Sequence, residues 1–196
     1  MRIDDVSRET NEKLIAFSKL AEQWNRSINL YSKSDDIWDR HILDSIQLAD
    51  LIPTSSKIWL DIGSGGGFPA VPCAILRGTG SPKLIMIESD QRKCSFLKKA
   101  VLSFDLNAEV VNQRIEAAPP ARADVITARA LASLDKLFEL TEKHATPETI
   151  YLFQKGKTFQ NEIETARTRW TFDCEVIVSK TSPQSAILRI KDVARV

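Results

Sequence analysis

The segment W-L-D-I-G-S-G-G-G-F-P, residues 59–69, constrains this chain more than any other. An apolar run, Ile58–Ile62, leads into the alternate glycines Gly63, Gly65 and Gly67, and a helical pattern over 69–77 follows. Strand, glycine loop and helix in that order are the context of a nucleotide-binding turn. Glycine reaches backbone angles closed to other residues and lets a ligand approach the main chain. The spacing is G-x-G-x-G. The dinucleotide fingerprint G-x-G-x-x-G fails because Phe68 stands in its last place, which disfavours a nucleotide-dependent oxidoreductase. Asp61 would set negative charge near a pyrophosphate. It suits a ligand with a positive ammonium or sulfonium end.

Glu88, in L-I-M-I-E-S-D, ends the next strand-like run. A carboxylate there can accept hydrogen bonds from both hydroxyls of a ribose. Asp90, two residues on, is the expected N-cap of the helix that follows. Glycine loop and strand-end acid together point to an adenosine-containing cofactor. In the loop N-Q-R-I-E-A-A, residues 112–118, Ile115 could flank an adenine and the backbone at Glu116 could meet its polar edge. Arg129, just past another strand end, stands where a cofactor carboxylate or a substrate phosphate would lie.

From Lys57 onward strand-like and helical runs alternate. Strands are expected over 58–62, 84–87, 108–111, 124–128 and 149–153, with helices near 69–77, 90–104, 134–144 and 158–169. Such alternation implies right-handed crossovers and a mostly parallel sheet covered on both faces. Residues 172–178 and 186–190 are separated by a turn holding Ser182 and Pro183, the pattern of an antiparallel hairpin at one sheet edge. The fold class is therefore α/β, with seven strands. The first 56 residues read as a helical extension to a domain spanning 57–196. Leu14, Phe17, Leu20, Ala21 and Trp24 recur at helical spacing over about residues 8–29. Ser34 is the expected N-cap of a second helix that presents Trp38, Ile42, Ile46 and Ala49 on one face and ends before Pro53.

Composition narrows the class further. The 196 residues are 43% hydrophobic and 27% charged, which excludes collagen-like and largely disordered chains. Charge nearly cancels, 27 Lys and Arg against 26 Asp and Glu, so any nucleic-acid site must be a local patch. Cys73, Cys94 and Cys174 lack metal-ligand spacing, only His41 and His144 are present, and no metal is expected. The opening M-R-I-D-D-V carries acids where a secretory leader needs an apolar run, and no apolar run approaches a membrane span. A cytoplasmic protein with no membrane partner is expected.

Six segments carry a resemblance. Q-W-N-R-S-I-N-L (23–30), R-H-I-L-D-S (40–45), D-I-G-S-G-G-G-F-P (61–69), I-E-S-D-Q-R-K-C-S-F-L (87–97), R-I-E (114–116) and A-R-A-L-A-S-L (128–134) resemble, in order, the motifs of the bacterial ribosomal RNA small-subunit methyltransferase G, or glucose-inhibited division protein B, family. The resemblance covers the chain from about residue 20 to its end. It implies a class I, Rossmann-like methyltransferase fold, S-adenosyl-L-methionine as cofactor, and methyl transfer to N7 of guanine 527 in 16S rRNA. It implies cofactor positions at Gly63, Phe68, Ile115, Glu116 and Arg129, beside Gly65 and Glu88 from the fold logic above. The partner is naked 16S rRNA or the 30S subunit, and the chain is expected to be a monomer. Ala70, Tyr31 and Leu131 stand where the family pattern has Gly, Thr and Phe. Guanine N7 has a lone pair and no proton to remove, so no catalytic acid or base is nominated.

Basic candidates for holding RNA are Arg26, Lys33, Arg40 and His41 in the extension, Arg92, Lys98 and Lys99 after Glu88, and Lys155 and Lys157 in F-Q-K-G-K. Asn25, Asn29, Asp44 and Ser45, motif residues by resemblance, read as caps and packing between extension and sheet. The competing readings are a class I methyltransferase acting on another substrate and a non-catalytic RNA-binding assembly factor.

Overall fold

The computed structural model describes residues 6–196. Five adjacent parallel strands form one side of a seven-stranded sheet: β1 (Ile58–Ile62), β2 (Lys83–Glu88), β3 (Ala108–Asn112), β4 (Ala123–Arg129) and β5 (Ala145–Lys155). Strands β6 (Trp170–Val178) and β7 (Ala186–Arg195) form the hairpin. The order is β3-β2-β1-β4-β5-β7-β6, with β7 antiparallel to β5, so β3 and β6 are the edges. The order reverses between β2–β1 and β4. Ligands of open α/β sheets bind beyond the carboxyl ends of strands at such a switch point.

Alternate residues of each strand supply the two faces, as the pleat requires. Trp59, Val125 and Leu152 face one cluster with α1 (Arg8–Asn25), α3 (Ala70–Arg77) and α4 (Gln91–Ser103). Leu60, Ile126 and Phe153 face the other, with α5 (Leu134–Thr141) and α6 (Phe159–Ala166). Leu14, Phe17, Ile42, Leu48 and Ile52 of the extension belong to the first cluster, so extension and sheet share one apolar interior. Burying one such side chain contributes about 1.5–3 kcal/mol.

Two helix boundaries in the extension differ from expectation. Helix α1 starts where Ser7 Oγ accepts Thr10 N–H, but it stops at Asn25 rather than near residue 29. The buried Asn25 side chain accepts from Leu30 and Tyr31 N–H and donates to the Tyr31 carbonyl, which folds the chain back. Ser34 does not cap the second helix: its hydroxyl pairs with Ser32 Oγ. Asp36 Oδ1 instead accepts Asp39 N–H at 2.9 Å. That helix begins as a π-turn, Trp38–Leu43, and continues as the short α2 (Asp44–Ile46). Among the described residues no helix is long and apolar enough to cross a membrane.

Candidate functional site

Two cavities open beyond the carboxyl ends of the parallel strands, and residues 129–132 line both. The first, about 500 Å³, lies over β1 and β2 and is lined by Gly63, Gly65, Glu88, Ile115, Glu116 and Arg129. Gly63 has φ +62, and a Cβ there would lie 2.6 Å from Leu131 Cδ1, so only glycine fits without displacing that side chain. Gly65, at φ +50, turns its N–H to Glu88 Oε2 at 2.9 Å. Glu88 Oε1 accepts Asp90 N–H at 2.8 Å. The acid therefore ties the glycine loop to the next strand end while each oxygen keeps acceptor capacity for a ligand. Asp90 caps α4 as expected, accepting from Arg92 and Lys93 N–H. Ile115 is buried, and its carbonyl and that of Glu116 are held by His144 Nε2 and Lys143 Nζ.

Asp61 lies outside this lining, 1% exposed beneath the loop. Oδ1 accepts Thr127 Oγ1–H at 2.6 Å, and Thr127 in turn accepts from the Trp59 indole. Oδ2 has no partner. Burial pushes this carboxyl up to about 7, against the hydrogen bond from Thr127. Phe68 also departs from the cavity wall. Its ring sits among Phe17, Tyr31 and His41, 5.6, 6.2 and 4.9 Å between centroids, and braces the loop against the extension.

Arg129 closes the boundary between the cavities. Its Nη2 donates to the Arg40 carbonyl at 2.9 Å and contacts His41 Nδ1 at 2.8 Å, and its guanidinium carbon lies 5.9 Å from the Phe68 ring centre. Burial lowers its pKa, and the Asp44 carboxylate, 3.7 Å from Nη1, opposes that shift. Burial and the nearby Arg129 charge push His41 down to about 4. His41 is therefore a neutral ring at pH 7 and not a phosphate-binding cation, which corrects that expectation.

The second cavity, about 610 Å³, lies between the extension, β4, β5 and the hairpin. Asp44 is its polar centre. Oδ1 accepts from Gln47, Ser179 and Thr181 at 2.8–3.1 Å, and Oδ2 accepts Gln154 Nε2 at 2.7 Å. Ser45 instead packs inward, its carbonyl accepting the buried Cys73 thiol. Asp44, which the sequence places at the junction between extension and sheet, is the hydrogen-bonding hub of that junction, set by the spacing of R-H-x-x-D on one short helix. Lys155 is a second correction: it is 8% exposed, and its Nζ is 2.6 Å from Glu162 Oε2. Lys157 and Arg40 are exposed, and Arg40 also lines this cavity.

The chain matches a family model described as rRNA small subunit methyltransferase G over residues 10–187. A ribosomal RNA small subunit methyltransferase G of Ruegeria sp. (strain TM1040) is 47% identical, over 98% of this chain and 95% of that protein. The protein of the same name from Gluconobacter oxydans (strain 621H) is also 47% identical, over 97% and 98%. Among solved structures, M. jannaschii TYW2 in complex with AdoMet superposes with a TM-score of 0.62 at 15% identity, covering 87% of this chain and 80% of that one. A SAM-dependent methyltransferase from Aquifex aeolicus gives 0.60 at 15%, covering 89% and 97%. These two share the fold.

Proposed function

The chain belongs to the rRNA small subunit methyltransferase G family, and on that premise we propose that it transfers a methyl group from S-adenosyl-L-methionine to N7 of guanine 527 in 16S rRNA. One observation carries the reading: residues 129–132 form a common wall between a cavity built by a glycine loop and a strand-end acid and a second cavity open toward the extension. Two ligands placed in them would lie on either side of that shared segment.

The residues of the first cavity fit the cofactor. Glu88 is anchored by two backbone N–H groups and retains acceptor sites for two vicinal hydroxyls. Gly63 and Gly65 leave the backbone bare, Ile115 would flank an adenine, the Glu116 backbone would meet its edge, and Arg129 would hold a carboxylate. Phe68 serves by bracing the loop. When bound, the cofactor would supply an electrophilic methyl on a sulfonium: a bond would form from the guanine N7 lone pair to the methyl carbon as the methyl–sulfur bond breaks, the neutral thioether S-adenosyl-L-homocysteine would leave, and no proton has to be removed. The side chains therefore have to align and exclude water, and no general base is needed. Arg40 and Lys157 form an exposed basic rim for RNA phosphates. The target base must be splayed from its loop to reach the second cavity.

The reading takes naked 16S rRNA or the 30S subunit as partner, a cytoplasmic monomer as the acting species, and residues 1–56 as an extension of a catalytic unit spanning 57–196. The test is incubation with labelled S-adenosyl-L-methionine and either naked 16S rRNA or 30S subunits from cells lacking the activity, followed by mapping of N7-methylguanine. Label at guanine 527 is expected. No label in either RNA would overturn the proposal.

A further inference from the structure

The contact between the extension and Arg129 has a defined proton arrangement. A guanidinium donates hydrogen bonds and accepts none. The 2.8 Å contact from Arg129 Nη2 therefore makes His41 Nδ1 the acceptor. A neutral imidazole then carries its proton on Nε2, which donates to Asp35 Oδ2 at 3.2 Å. The second Nη2 hydrogen is taken by the Arg40 carbonyl. With both Nη2 hydrogens engaged by the extension, the guanidinium cannot rotate without breaking two bonds. Its Nη1 is buried without a hydrogen-bond partner, while Arg129 lines both cavities.

We infer that His41, oriented by Asp35, is a positioning residue that holds the Arg129 guanidinium toward the cofactor; this rests on Arg129 being a cofactor ligand. The extension thereby shapes the first cavity, although it supplies none of that cavity's lining. A role in packing alone would use the imidazole as a ring, since His41 also lies 5.0 Å from Tyr31 and 4.9 Å from Phe68 between centroids. The positioning role uses one nitrogen, Nδ1, as an acceptor.

Two substitutions separate these roles. Asparagine puts its carbonyl oxygen near the place of Nδ1, so His41→Asn keeps an acceptor for Arg129 and loses the donor to Asp35. Glutamine puts its amide nitrogen near the place of Nε2, so His41→Gln keeps the donor and loses the acceptor. Both remove the ring. The experiment is calorimetric titration of the full chain with S-adenosyl-L-methionine, for wild type, His41→Asn, His41→Gln, Arg129→Ala and the double variant His41→Gln/Arg129→Ala, with melting curves beside it. His41→Gln is expected to weaken binding about tenfold, the scale of one hydrogen bond to a charged group, and His41→Asn to retain most of the affinity. Adding His41→Gln to Arg129→Ala should change nothing further. Equal losses in the two His41 variants, or an additive loss in the double variant, would overturn the inference. Weakened Arg129→Ala binding beside unweakened His41→Gln binding overturns the inference alone. Wild-type binding by Arg129→Ala overturns the cofactor reading of Arg129 and this inference with it. Should the variants fail to fold, ¹⁵N spectra of the wild-type chain at pH 7 still decide: a protonated Nδ1 on His41 overturns the inference, and an unprotonated one supports it.

Discussion

The glycine loop and the Asp44 junction lie on opposite sides of the same β4 wall, and they are assembled from different ranges of the chain. The loop takes its hydrogen bonds from nearby: Gly65 reaches Glu88 across 23 positions, and Glu88 meets Asp90 two positions on. The junction joins Asp44 to Gln154, Ser179 and Thr181, partners 110, 135 and 137 positions away. The loop works largely through backbone groups and the absence of side chains. The junction works through a carboxylate whose four side-chain donors come from three separate parts of the chain. A side-chain hub of that kind holds distant parts together and fails as a unit.

The strongest way to break this contrast is Asp44→Ala. It removes the carboxylate that accepts from Gln47, Ser179, Thr181 and Gln154, leaving the Asp44 carbonyl to the two amides, and takes from Arg129 its nearby counter-charge. We expect a loss of about 3–5 kcal/mol in urea unfolding; a loss under about 1 kcal/mol would show that the junction specifies geometry without stabilising it. The next effect is in pH. Asp61 titrates near 7 in the fold against an ordinary 3.8, so its contribution is full below about 4 and is lost as pH rises through 7. His41 has the opposite sign: held down to about 4 from 6.5, it contributes above 6.5 and loses that contribution as pH falls toward 4. Between about pH 4 and 6.5 the two slopes oppose each other, each at most about 1.4 kcal/mol per unit. Relative to wild type, stability of Asp61→Asn should rise more steeply with pH in that window, and stability of His41→Asn should fall. Shifts of the same sign in both variants would refute the assignment.

Smaller effects test the loop. Gly63→Ala meets Leu131 at a positive φ and should cost about 1–2 kcal/mol in thermal or urea unfolding, with weaker cofactor binding. Gly80→Ala, with nothing within 4 Å, should stay within about 0.5 kcal/mol. Glu88→Gln keeps one acceptor oxygen and turns an amide toward a backbone N–H. Calorimetry should then read about tenfold weaker binding of S-adenosyl-L-methionine. Unchanged affinity would remove Glu88 from the ribose role.

Much of this was legible in the residues. The run Ile58–Ile62 is β1 to the residue, Asp90 caps α4, and the hairpin follows the turn around Ser182 and Pro183. Asn25 ended α1 early because its amide turns back on residues 30 and 31, a contact that periodicity does not register. The ring of Phe68 was not legible either, because its direction depends on Phe17, Tyr31 and His41 from another part of the chain. Lys155 read as a free cation and is an internal ion pair, because Glu162 reaches it from α6.

The sequence by itself determined the alternation of strands and helices, the bare loop and the acid one strand later. Each of these depends on backbone propensity and on contacts over a few to some twenty residues. Only the tertiary structure decided that Arg40, His41 and Asp44 of the extension would meet Arg129 and Gln154 at the strand ends. Those meetings depend on how a second layer packs over the sheet, and hydrogen bonds between groups more than eighty positions apart form only after that packing is complete.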